Sequence, residues 1–201
     1  MNKLIIQKSI RATVLLIIAG VFIGVFHQYD LPVAILLLAF LVYKFIQEIN
    51  INPNKYKTRV LFIGVLSQML IGVAFELWGI RNGHWIYHDL SSGREFPLWL
   101  PVAWAFTFLY FYRYERTIFS NIPNLTVSRK LLIVALIYAF YPTFGEMITI
   151  NLGVWTYAWG YQLFGVPLLA IFLLMFMHSS FFLFFRFILK KYRIYDPVFN
   201  A

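Results

Sequence analysis

Two glutamates, Glu76 and Glu146, stand 70 positions apart in one shared frame, E-x3-I-x2-G-x-W-x-Y-x9-P-L. Without a gap, the frame aligns Glu76, Ile80, Gly83, Trp85, Tyr87, Pro97 and Leu98 with Glu146, Ile150, Gly153, Trp155, Tyr157, Pro167 and Leu168. Carboxyl groups beside aromatic rings in an apolar chain point to general acid and base work. A low-dielectric surrounding disfavours the charged form, and two neighbouring carboxyls separate into one acid and one base. The faces of Trp85, Trp104, Trp155 and Tyr157 are suited to stabilising a developing carbocation. The alternative is anchoring, in which each glutamate accepts bonds from the Trp85 or Trp155 indole, tyrosine hydroxyls or backbone amides and ties down the loop that follows it.

Other polar residues fall at helical spacing around these acids. Gln68 and Gly72 precede Glu76 by eight and four residues, and Tyr138 and Pro142 hold the same offsets before Glu146, with Thr149 continuing that face. Pro142 is expected to kink its helix. His178, followed by Ser179 and Ser180, falls inside an apolar run where polar groups need partners. His84 and His88 form an i, i+4 pair that could hold a metal if helical, and otherwise lie in a solvated loop; no metal is expected. The expected site therefore has Glu76 and Glu146 as catalytic residues, with Trp85, Tyr87, Trp104, Tyr138, Trp155, Tyr157 and His178 binding substrate.

Composition decides what must position them. The chain is 61% hydrophobic and 20% aromatic, carries 12% charged residues and has a mean hydropathy of +0.74. Soluble proteins carry roughly 25% charged residues, so these values describe an integral membrane protein. With no cysteine, disulfides, thiolate nucleophiles and Cys-ligated metals are excluded. No GxGxxG, P-loop, GxSxG or HExxH motif occurs, which argues against nucleotide-driven chemistry. The net charge of +9 sits in short segments between apolar runs and reads as membrane topology rather than nucleic-acid binding.

Apolar runs at about residues 12–27, 31–47, 60–80, 97–113, 131–150 and 166–187 predict an all-α membrane bundle of six helices, one polytopic domain over residues 1–201. The first run has no small-x-small cleavage site after it and is expected to be retained. With the amino terminus cytoplasmic, every Lys and Arg except Arg81 and Arg94 lies on the inner side, so both termini are expected inside the cell. All six tryptophans then lie toward the outer face. The frame makes helices three and four, about residues 60–113, a unit repeated in helices five and six, about 131–187; with two spans per unit, the copies run parallel.

The run E-x2-G-x3-G-x-W-x-Y with P-x3-P-x2-W after it (Glu76, Gly79, Gly83, Trp85, Tyr87, Pro97, Pro101, Trp104) resembles a block of the integral-membrane carotenoid hydratases, the bisanhydrobacterioruberin hydratases among them. GVWTYAWGYQLFGVPL, residues 153–168, resembles that family's later G-x-W-x-W and Y-x-G-V-P segment. The likeness covers about residues 76–168. It implies addition of water across a terminal double bond of an acyclic carotenoid; membrane lycopene cyclases and small membrane terpene cyclases are similar in protonating an alkene or epoxide from acids in a helical bundle.

The expected function is protonation of a carbon–carbon double bond in a polyprenyl or carotenoid substrate lying in the bilayer, giving hydration or cyclisation. One glutamate acts as acid, the other activates water or takes the final proton, and no cofactor is required. The competing class is a non-enzymatic membrane binder or carrier of a small lipophilic ligand.

Overall fold

The computed structural model describes residues 3–51, 55–90 and 93–199. Ser91 and Ser92 of the expected outer loop, and the side chain of Lys55, lie outside that description. The described chain is mostly helical, with short strands and turns between the helices: α1 (Lys3–Phe26), α2 (Asp30–Ile51), α3 (Lys55–Arg81), β1 (Trp85–Tyr87), α4 (Leu100–Asn121), α5 (Val127–Asn151), β2 (Trp155–Tyr157), β3 (Gln162–Leu163), β4 (Val166–Pro167) and α6 (Leu168–Lys191).

The helices outrun the apolar segments by one or more turns because charged residues extend them: α1 already includes Lys3, Lys8 and Arg11. At 22 to 27 residues each and 1.5 Å per residue, helices are roughly 33–41 Å long, against ~30 Å of hydrocarbon in a bilayer. Five of them, all but α4, are long and apolar enough to cross a membrane. In α4 the apolar part stops at Tyr112, since Arg113, Glu115 and Arg116 follow within the helix. It also starts at Leu100, three residues later than the apolar run, because Pro97–Trp99 form a turn in which the Pro97 carbonyl accepts the Leu100 amide at 3.1 Å.

Helix α3 ends where backbone chemistry dictates. Gly83 adopts φ +69°, and the His84 and Gly83 amides return to the carbonyls of Gly79 (2.8 Å) and Ile80 (3.0 Å). Those two bonds cap the last orphan carbonyls, and the left-handed residue needs no Cβ. Gly153, at the matching place after α5, has φ +82°. Beyond these turns, β1 and β2 pair antiparallel with Trp85 opposite Tyr157 and Tyr87 opposite Trp155. The composition reading missed these strands; three residues are too few for an alternating pattern to register.

Contacts divide the chain into two compact units. One contains the described residues up to Val21, Tyr112–Asn151 and those from Trp159 onward; the other contains Phe22–Phe111 and Leu152–Ala158. In the first unit α5 packs along α6, and the carboxy-terminal segment folds back onto them. Val198 and Phe199 are buried, and the Phe199 ring lies 6.2, 5.6 and 5.1 Å from the rings of Tyr112, Phe182 and Phe185. Lys130 donates to the carbonyls of Pro197 and Val198 at 3.3 and 3.1 Å. The buried Asp196 accepts from the Tyr112 hydroxyl (2.7 Å) and the Val198 and Phe199 amides (2.9 and 3.3 Å). Burial pushes its carboxyl up, and these three bonds and the Arg116 charge oppose the shift.

Asp196 thus closes a turn that the first unit depends on. Replacing it with alanine leaves the Tyr112 hydroxyl and two buried amides unsatisfied, at about 1–3 kcal/mol each before relaxation. Asp196→Ala should lower the thermal unfolding midpoint in detergent by several degrees, and a midpoint equal to that of the parent protein would contradict this role.

Candidate functional site: an acid held by aromatic donors

Glu76 lies in α3, five residues before the helix ends, and its side chain is buried. Its Oε2 accepts from the Trp85 indole Nε1 at 2.9 Å and from the Tyr87 hydroxyl at 3.0 Å. Its Oε1 accepts from the Trp104 indole Nε1 at 3.2 Å. Indole nitrogen only donates, so both carboxyl oxygens must serve as acceptors.

Local structure explains the W-x-Y spacing. Residues i and i+2 of a strand point to one side, so Trp85 and Tyr87 both turn inward while Ile86 between them is 62% exposed. The third donor comes from the first turns of α4. Two of the indoles reach the acid because α3 has no side chain in their path: a Cβ at Gly79 would overlap the Trp85 ring, and one at Gly72 the Trp104 ring. Gly64 receives Phe108 in the same way. Gly64, Gln68, Gly72 and Glu76 therefore form one stripe at four-residue spacing, and Gly79 extends it.

Partner strand β2 completes the aromatic shell within this unit. Trp155 lies 5.5 Å from the Tyr87 ring and Tyr157 5.6 Å from the Trp85 ring, with Phe75 at 5.7 Å from Trp85 and Trp99 at 6.4 Å from Tyr87. The ladder is extended by His88 N–H donating to Val154 and Ala158 N–H donating to His84, at 2.9 and 2.8 Å. Trp85 and Trp104 thus bond the acid and Trp99 and Trp155 lie against Tyr87, which also bonds it, while Trp78 is 45% exposed.

His84 and His88 flank a strand and do not share a helix face, because the turn at Gly83 has already ended α3. The His84 ring lies 4.8 Å from Trp78, and His88 Nε2 is 3.3 Å from Thr156 Oγ1. Among the described residues no group of three His, Asp or Glu side chains is arranged to hold a metal ion.

The remaining expected site residues belong to the other unit. Glu146 is half-buried on α5. Tyr138 and His178 are buried and stacked, with ring centroids 3.6 Å apart and planes 13° apart. Thr149 lies three residues after Glu146 in the same helix and is buried, and its hydroxyl donates to the carbonyls of Gly145 and Glu146, both at 3.1 Å.

Sequence reasoning missed Asp30, Arg94, His27 and Asp89. Asp30 opens α2, accepts the Leu98 amide at 2.6 Å and pairs with Arg94 at 2.8 Å, which ties the segment before α4 to the start of α2. The signal was the run HQYDLP, where an acid just before an apolar helix is suited to a helix amino terminus. Glu115, buried in α4 with Asp196 as a charged neighbour, was also missed, although RYER placed an acid between two arginines.

Comparison of the chain with family models, curated proteins and solved structures gives no match in any of the three.

Removing the carboxyl strands two indoles and one hydroxyl in the protein interior. Glu76→Leu should therefore destabilise the protein by roughly 3 kcal/mol or more, at 1–3 kcal/mol per buried unsatisfied donor. Glu76→Gln should cost about 1–3 kcal/mol, because one oxygen becomes an NH2 facing a donor. Thermal unfolding of the three proteins in one detergent checks the order; a leucine variant as stable as the parent would remove the cage from the account.

Proposed function

We propose that the chain is a multi-pass membrane protein that protonates a carbon–carbon double bond of a lipophilic polyprene, carotenoid-like in type, at Glu76. The observation that carries this reading is the bonding of the Glu76 carboxyl. Two carboxylate oxygens offer about four acceptor positions; three are filled by aromatic donors, and the position left on Oε1 is available to carry a proton. Protonated there, Glu76 gives its proton to one alkene carbon, and the electron pair of the double bond forms the new C–H bond. The tertiary cation on the other carbon faces π systems such as those of Trp85, Trp104, Trp155 and Tyr157. Water adds to that carbon and returns a proton to the Glu76 carboxylate, so one water is consumed and the acid is regenerated. Capture by an internal alkene instead closes a ring and moves the cation to the other alkene carbon; loss of an adjacent C–H proton to the Glu76 carboxylate then forms a new double bond and gives a cyclic isomer. The balance closes on Glu76 alone and uses no cofactor.

The same reading takes the protein as cell-membrane resident with both termini cytoplasmic and its Glu76 end toward the outer face, following the distribution of Lys and Arg. It takes α3–α4 and α5–α6 as a parallel repeat. Support comes from the matching offsets of α3 and α5 ends, of Gly83 and Gly153, and of β1 and β2. The likeness to carotenoid hydratases over residues 76–168 supplies the substrate class.

A second reading, a binder or carrier of a lipophilic ligand, is favoured by the fact that the Glu76 donors come from β1 and α4, so the acid also clamps those elements to α3. Expression in a host accumulating an acyclic carotenoid separates the two. The catalytic reading expects a product heavier by one water, or an isomer of equal mass, and a loss of at least ~100-fold in rate per folded molecule for Glu76→Gln. An unchanged pigment profile, or full turnover by the variant, would contradict it; a pigment that co-purifies unaltered would favour the carrier.

A further inference from the structure

His27 follows the last residue of α1 and its ring contacts two acceptors. Nδ1 is 2.7 Å from the Gly24 carbonyl oxygen, and Nε2 is 3.0 Å from Asp89 Oδ2. A carbonyl oxygen accepts and cannot donate, and an ionised carboxylate does the same. A neutral imidazole carries one N–H, so it can make only one of these bonds, whereas the imidazolium makes both. Position adds to this: the orphan carbonyls and negative dipole end of a long helix favour a cation at its carboxy terminus. The side chain of His27 is 12% exposed and that of Asp89 62%, so the pair is reached by solvent protons.

Asp89 stands two residues beyond β1, the strand that supplies two of the three Glu76 donors, and it holds a left-handed backbone at φ +54°. Other charged or titratable groups of this unit have partners of their own. Asp30, at the start of α2, is bonded to Leu98 N–H and Arg94; Glu95 is bonded to Arg81 at the end of α3; and His88 contacts Thr156. The Gly24 turn is filled by Leu152, which a Cβ at position 24 would displace.

We propose that His27 is a proton-operated positioning residue: as imidazolium it bridges the end of α1 to Asp89 and fixes the segment that follows β1, and on losing a proton it releases one of the two contacts. In so far as this regulates function, it rests on the Glu76 cage being the working site. The catch itself is structural and is read without substrate.

Amide hydrogen–deuterium exchange of the full chain in detergent micelles, at roughly pH 5.5 and pH 8 and corrected for intrinsic exchange, tests it. Peptides covering residues 84–90 should exchange several-fold faster, relative to intrinsic rates, at the higher pH. His27→Gln should show fast exchange at both, His27→Arg slow exchange at both, and His88→Gln the parent's pH dependence. No pH dependence in the parent, or pH dependence surviving in both His27 variants, would overturn the proposal, as would its loss in His88→Gln. An inert pigment assay alongside intact pH-dependent exchange would sink the catalytic reading and leave the catch standing.

Discussion

A single carboxyl group accepting three hydrogen bonds from aromatic side chains organises the unit that contains it. The α3 stripe is otherwise glycine, glutamine and apolar residues, and Glu76 is the residue on it that bonds side chains of both β1 and α4. Apolar packing is non-directional; an acceptor with two oxygens is not. Glu76 sets where the Trp85 and Trp104 indoles end, hence where β1 runs and how α4 begins. The cost of burying the carboxyl is offset only while all three donors are in place, which couples α3, β1 and α4 to one another.

The glycines are the other half of that constraint. Gly72 and Gly79 remove the side chains that would keep the indoles away from α3, and Gly83 lets the helix stop and the chain reverse within two residues. Acid, glycine and tryptophan are thus one device read at three positions: the acceptor, the gap through which the donor ring reaches it, and the donor. The pairing of β1 with β2 then brings the second W-x-Y segment against the first, so that rings alternate across the two strands.

Much of this was legible in the sequence. The acid, the W-x-Y segment and the glycine after the helix were all visible in a frame repeated 70 residues on, and six helices followed from apolar runs. Helix ends were less legible because hydrophobicity reports where a chain is apolar, whereas hydrogen bonding decides where a helix stops; Lys3–Arg11 and Arg113–Arg116 are helical without being apolar. The i, i+4 spacing of His84 and His88 left two conformations open because it means adjacency only on a helix, and the turn at Gly83 ends that helix before either histidine. Contacts between residues far apart in sequence, such as Asp30 with Leu98, His27 with Asp89 and Asp196 with Tyr112, leave no local pattern. The two acids also prove unequal in surroundings: Glu76 is enclosed by donors, while Glu146, in the other unit, is half-buried. Spacing alone cannot distinguish those two states.

The most direct test concerns the indole protons. With 15N-labelled tryptophan, the Nε1–H signals of Trp85 and Trp104 should be shifted downfield, exchange slowly with solvent, and both move in Glu76→Gln while the exposed Trp78 signal stays in place. Indole protons of Trp85 and Trp104 that exchange as fast as that of Trp78, or that ignore the substitution, would contradict the account at its centre.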